Sequence, residues 1–328
     1  MKRRDFLHGA AAGLALAATS APACADTPVT TQLLWIKDVQ AAGFWLADAE
    51  GYFRAEGITS TILAGGPNLG SPESFVVGGR ADVGIDQLER IVDAINAGAD
   101  LVVLGAIYQR SPAGILSLPT RPIRTAHDIL GKRMGLQQGG NLYIDGILNL
   151  HRLPHDYTEV VVGFDPQPLV EGACDGYLCY VTNQPLTLAE HGTKAVAVTF
   201  EQLGFADYGE CLFCTRDYLS KNRSTLVKYL RAVRRGWTAN LRDPAPAARL
   251  AARTYGESLA LDETQETAQN RAQTPLTQSA LTRAHGLLWI DEHRIAGPIY
   301  ASLRATGRTK LPPVNRLLDL SVLRDAAA

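Results

Sequence analysis

The chain has no surplus of charge of either sign, with 32 Lys and Arg against 33 Asp and Glu. That balance removes the electrostatic case for a nucleic acid or an anionic membrane surface as partner. Long hydrophobic runs are missing as well: the Ala-rich segment from Gly9 to Ala18 is too short to span a bilayer. The sequence contains no GxSxG, no P-loop pattern, no HExxH and no GxGxxG, which favours binding over catalysis. His151 and His155 have the spacing of one helix face, but Pro154 ends that helix between them and discounts a metal pair. No carboxylate pair stands out by spacing, and no internal repeat, low-complexity linker or heptad run is present.

What is present at the start reads as an address. Lys2, Arg3, Arg4, Asp5, Phe6 and Leu7 match a twin-arginine export pattern, followed by the mildly apolar run and by small residues up to Ala23, Cys24 and Ala25. Residues 1–25 are expected to form a cleaved signal, with lipoprotein anchoring at Cys24 as the minor alternative. Cleavage leaves 29 basic and 32 acidic residues, so the exported protein is slightly acidic. The four remaining cysteines, Cys174, Cys179, Cys211 and Cys214, would then occupy a compartment that permits disulfides. Cys211 and Cys214 fall on a predicted strand, whose i and i+3 side chains face opposite sides. A structural disulfide or buried thiols therefore outweigh a metal site.

The remainder alternates β and α. Leu33–Ile36 reads as the end of a buried strand, Lys37–Gln40 as a polar elbow, and a helix runs from about Gly43 to Gly51. Further βα turns follow to Tyr108, with Ser71 as a cap and Pro72 as the first residue of one helix. After a break at Pro119–Pro122, four more βα turns occur. The last third is one strand near Cys211 and a helical tail in which Leu226, Leu230, Val233 and Trp237 form one apolar face. This pattern predicts an α/β fold of two lobes around a ligand cleft, with 26–118 plus 206–328 as a discontinuous first lobe and 119–205 as the second.

Ligands of open α/β sheets collect beyond the carboxyl ends of the strands. The residues expected there are Trp35, Asp38, Gln40, Asp86, Gln87, Tyr108, Asn183, Tyr208 and Glu210, together with two glycine loops, Gly66-Pro67-Asn68 and Gly139-Gly140-Asn141. The second loop joins a strand to a helix, where free N–H groups would suit an acceptor. Rings stack on Trp and Tyr while amides and carboxylates pair with ring nitrogens and amino groups, so the set suits a planar heterocycle. An anion site would show Arg or Lys at these ends, and only Lys37 and Arg110 are near.

GYFRAEGI (51–58), GGRADVGI (78–85), DILGKRMGL (128–136), QQGGN (137–141) and GECLFCTRDYLSKN (209–222) resemble the SsuA/THI5-like (NMT1) family over essentially the whole exported chain. The resemblance implies a type II periplasmic binding protein fold that closes on a small-molecule ligand and delivers it, as a monomer and without a cofactor, to an ABC permease in the inner membrane. Relatives bind thiamine-type pyrimidine precursors, riboflavin, or taurine and alkanesulfonates, and a fungal branch makes the pyrimidine in a single turnover. GECLFC is similar to that branch's cysteine-rich motif, but Glu210 and Leu212 stand in place of two cysteines. Ala41 stands where the resemblance to the synthase puts its substrate histidine. Both departures point to a carrier rather than an enzyme, with the heterocycle-binding branch nearer than the sulfonate one.

Overall fold

The computed structural model describes residues 26–327, so the expected signal peptide and Cys24 lie outside the described residues. Ten strands form two separate five-stranded mixed sheets. The first contains β1 (Thr27–Gln32), β2 (Ile58–Leu63), β3 (Val83–Asp86), β4 (Leu101–Tyr108) and β10 (Gly209–Thr215), in the order β2-β1-β3-β10-β4. The second contains β5 (Ala113–Ser117), β6 (Lys132–Leu136), β7 (Tyr157–Val161), β8 (Gly176–Tyr180) and β9 (Val196–Thr199), in the order β7-β6-β8-β5-β9.

The two sheets are built by the same rule. Four strands in each run in one direction, three of them paired side by side through βα crossovers, and the fourth in order is antiparallel to both its neighbours. In each sheet that antiparallel strand is the first one made after the chain crosses from the other lobe. β5 enters the second sheet directly after β4, and β10 enters the first directly after β9. This corrects the expected boundary at 118, since β5 pairs with β8 and β9 and the first crossing lies at 109–112. A four-residue connection joins the lobes there, and the return crossing occupies 200–208.

Five helices bear on the site. They are α1 (Ala42–Ala49), α2 (Leu88–Asn96), α3 (Asn141–Leu150), α4 (Arg216–Arg242) and α5 (Glu263–Gln273). α1 carries no charge until Asp48, and Ala42–Ala47 are all buried, so it is a core helix rather than an amphipathic surface one. α4 crosses it closely enough that a Cβ on Gly43 would fall 2.3 Å from the Trp237 indole. The expected apolar face of α4 is realised in the buried Leu226, Leu230, Val233 and Trp237, with a kink at Asn222. Ser71 caps its helix through a bond from the Ser74 N–H, with Pro72 at the first position. The helical tail returns to the first lobe, where Leu317, Val322 and Leu323 join the core of β1, β3, β4 and β10. No helix among the described residues is long and apolar enough to cross a membrane.

Candidate functional site

β1 ends at Gln32, four residues before the expected end at Ile36. The irregular stretch Leu33–Lys37 is possible because Gly65 lies against it: a Cβ there would sit 2.3 Å from the Leu33 carbonyl oxygen. The elbow then closes around Asp38, which caps the turn Val39–Ala41. Its Oδ1 accepts the Gln40 N–H at 2.9 Å, its Oδ2 accepts the Gln40 side-chain amide at 3.2 Å, and its carbonyl accepts the Trp45 indole N–H at 2.8 Å. Trp35, Gln40, Ala41 and Glu210 line a cavity of about 10 Å³, with Leu33, Ile36, Phe44, Ile85 and Ile107 completing its apolar wall. That is room for roughly one water.

Glu210 is the one acid lining this cavity, and Asp38, Asp86 and Glu266 are buried around it with few cations near. Burial, helped by the neighbouring Glu266, pushes the Asp38 carboxyl up to about 8. Burial pushes Glu266 up to about 7, against the opposing effect of the Val39 N–H, which it accepts at 2.7 Å. Glu210 is raised by burial and then by Asp38 and Asp86. Asp86 is raised by burial and by Glu73. One oxygen of Asp86 accepts the Gln87 N–H at 2.7 Å and lies 3.9 Å from the Arg90 guanidinium, while its other oxygen is buried without a partner. Asp38, Glu210 and Glu266 have no ion-pair partner among the described residues. Glu210 also holds φ at +54°, the left-handed region that costs a non-glycine residue about 1 kcal/mol, at the second position of β10.

The structure thus gathers Trp35, Asp38, Gln40, Asp86, Gln87, Asn183 and Glu210 at the facing edges of the two lobes. The Gln87 amide donates to the Tyr180 hydroxyl of the second lobe at 2.5 Å, and the Asn183 amide donates to Gln269 of the first at 2.8 Å. Tyr143 on α3 donates to Glu89 on α2, another link between the lobes.

Other expected site residues are placed differently. Tyr108 and Tyr208 present no solvent-facing ring: both belong to the first lobe's core, with Tyr108 donating to Gln273 at 2.5 Å and Tyr208 accepting the Asp291 N–H at 2.9 Å. Pro67 and Asn68 are exposed, and neither they nor Gly66 line the cavity. The Gly139–Asn141 loop offers fewer free donors than expected. The N–H groups of Gly140, Leu142 and Tyr143 are taken by the carbonyls of Gln137, Gly139 and Gly140 as the helix tightens into its first turn. Gly139 itself is at φ +79° with open space around it, as a tight turn requires. Cys174, Cys179, Cys211 and Cys214 are four buried free thiols. Burial raises all four, Cys214 to about 12, which makes them inert as nucleophiles.

One wall escaped the sequence reading. α5 buries a polar stripe of Glu266, Gln269, Asn270 and Gln273 against the elbow. Besides Glu266, the Gln273 amide donates to the Val39 carbonyl at 2.8 Å, and Gln269 meets the second lobe through Asn183. The signal was available, since positions i, i+3, i+4 and i+7 of one helix are amides or acids while the helix has few apolar residues to bury. Phe164 was also missed. It projects from the second lobe onto Trp35, edge to face, with ring centroids 4.7 Å apart.

Two helix-flanked α/β sheets joined by two crossings around an elbow-lined cleft define the periplasmic binding protein fold. The sulfonate-binding protein SsuA of Escherichia coli superposes with a TM-score of 0.67 at 16% identity, covering 90% of this chain and 99% of that one. The chain belongs to the NMT1/THI5-like family, whose model matches residues 38–247. A 4-amino-5-hydroxymethyl-2-methylpyrimidine phosphate synthase of Legionella pneumophila is 26% identical over 264 residues, 78% of each chain. The riboflavin-binding protein RibY of Chloroflexus aurantiacus is 24% identical over 289 residues, 84% of this chain and 82% of that protein.

Proposed function

We propose that this protein is the exported solute-binding component of an ABC importer, and that its cleft takes a thiamine-type pyrimidine precursor or a related aromatic heterocycle. The observation that carries the reading is the set of buried acids, Asp38, Asp86, Glu210 and Glu266, with Arg90 as their one ion-pair partner among the described residues. A sulfonate, which carries a fixed negative charge, would gain little from a cleft whose acids have Arg90 as their one ion-pair partner among the described residues, and would make those acids costlier still to ionise. A flat ring bearing amino and ring N–H donors would satisfy them while lying on Trp35. The cavity of about 10 Å³ holds no such ring, so the lobes part to admit it, and the short crossings at 109–112 and 200–208 are where that motion is absorbed. Residues 1–25 would direct export through the twin-arginine route, and the partner would be the inner-membrane permease that accepts the closed, loaded form.

The experiment is a thermal-shift panel of hydroxymethylpyrimidine, its formylamino analogue, thiamine, riboflavin and taurine. A ligand that binds only the folded state raises the melting point. Stabilisation by a heterocycle is the expected result, and stabilisation by taurine alone would overturn the reading.

A second reading is a single-turnover pyrimidine synthase, favoured by the relatives named for that activity and by Cys211, Phe213 and Cys214. It requires a substrate histidine, and the elbow carries the buried Ala41 at the matching place. Incubation with iron and oxygen followed by intact-mass measurement separates the two, because a synthase consumes part of its own histidine and a carrier keeps its mass.

A further inference from the structure

Phe164 belongs to no expected ligand set, yet it is the aromatic side chain that the second lobe extends to the elbow of the first. It is 46% exposed, so the core of its own lobe does not hold it. The backbone beneath it is held: the Gly163 carbonyl accepts the Gln137 side-chain amide at 2.8 Å and the Tyr177 hydroxyl at 2.6 Å. A half-exposed ring on an anchored stem that meets Trp35 across the cleft is placed where the faces of the two rings can hold a flat group between them.

We propose that Phe164 is the second wall of the ligand slot, so that a planar ring bound on Trp35 is sandwiched between the two side chains and is selected for flatness by their spacing. This rests on the solute-binding reading above. A ring in van der Waals contact on both faces needs walls about 7 Å apart, taking about 3.5 Å on each side. The present centroid separation is 4.7 Å, edge to face. Widening by roughly 2 Å, with Phe164 turned to lie parallel to Trp35, makes the slot, and both the exposed side chain and the lobe hinge permit that movement. The edge-to-face contact is then the resting form, in which the two rings cover each other.

The test is calorimetric titration of 4-amino-5-hydroxymethyl-2-methylpyrimidine and of riboflavin into the wild type, Phe164→Leu, Phe164→Trp, Trp35→Leu and the double variant. Melting points of the free proteins show that each variant is folded. Phe164→Leu should weaken binding about three- to tenfold with an unchanged melting point, and Phe164→Trp should restore it. In the Trp35→Leu background, Phe164→Leu should cost clearly less, because a ring with one wall gone gains little from the other. Undiminished affinity in Phe164→Leu, or equal losses with and without Trp35, would overturn the slot and leave the solute-binding reading standing. Absence of binding by the wild type to both probes would remove that reading and the slot together.

Discussion

Asp38 gives the sharpest quantitative test because its carboxyl is enclosed and the direction of its effect is unambiguous. In the unfolded chain an aspartate loses its proton near pH 4, whereas in the fold burial and Glu266 hold Asp38 protonated up to about 8. Between pH 5 and pH 7 the unfolded state is therefore ionised at this site and the folded state is not. Folding must take up a proton there, and stability falls by about 1.4 kcal/mol for each pH unit. Over those two units the loss is about 2.7 kcal/mol, roughly 5 °C in melting temperature for a chain of this size. Asp38→Asn removes the titration while its amide oxygen can still accept the Gln40 N–H that caps the turn. Other groups titrate in both proteins, so the informative quantity is the difference in melting temperature between variant and wild type. It should shift by about 5 °C in favour of Asp38→Asn as pH rises from 5 to 7 in ligand-free protein. A difference that stays constant over that range would refute the claim that the fold keeps Asp38 protonated.

Glu210→Gly should raise the melting temperature at neutral pH, because it relieves about 1 kcal/mol of left-handed strain and removes a buried acid, and it should abolish ligand-induced stabilisation. Alkylation followed by intact-mass analysis should find Cys174, Cys179, Cys211 and Cys214 all unmodified in the folded protein and all modified in denaturant without reductant, and any pair that stays unmodified in denaturant would indicate a disulfide. Gly65→Ala should destabilise the protein by about 3 kcal/mol or more, because its Cβ meets the Leu33 and Leu34 backbone, whereas Gly139→Ala should cost only about 1 kcal/mol, the strain of its positive φ in open space; chemical denaturation distinguishes the two.

The β and α alternation, the two lobes and most of the strand-end residues were legible because local patterns determine them. A βα turn shows itself in apolar period and glycine placement, and Asp38, Asp86 and Asn183 each sit where a strand gives way to a turn or helix. What was not legible depended on partners distant in sequence. The lobe boundary was misplaced because β5 has the composition of a buried strand in either sheet, and only its pairing with β8 and β9 assigns it. Tyr108 and Tyr208 read as stacking surfaces from their positions at strand termini. Their hydroxyls are instead taken by Gln273 and Asp291, between 83 and 165 residues away, and those bonds turn the rings inward. The donors of the Gly139 loop were overcounted because the first turn of α3 tightens and uses them internally.

The position of α5 bears on how much family membership can say about the ligand. The family match ends at residue 247, whereas α5 begins at Glu263. The match begins at Asp38, so it takes in Asp38 and Gln40 of the elbow but not Trp35, and the elbow's conformation is held from beyond the other end of the match by Glu266 on the Val39 N–H and Gln273 on the Val39 carbonyl. The same helix meets the second lobe through Gln269 and Asn183. Two chains can therefore share the elbow and the strand order while differing in the helix packed against the elbow, because Glu266 lies beyond the matched residues whereas Asp38, Asp86 and Glu210 lie within them. Relatives named for pyrimidine synthesis and for riboflavin binding are compatible with one fold on this account. In this chain the helix brings Glu266 next to Asp38, and that neighbour adds to burial in raising the Asp38 carboxyl.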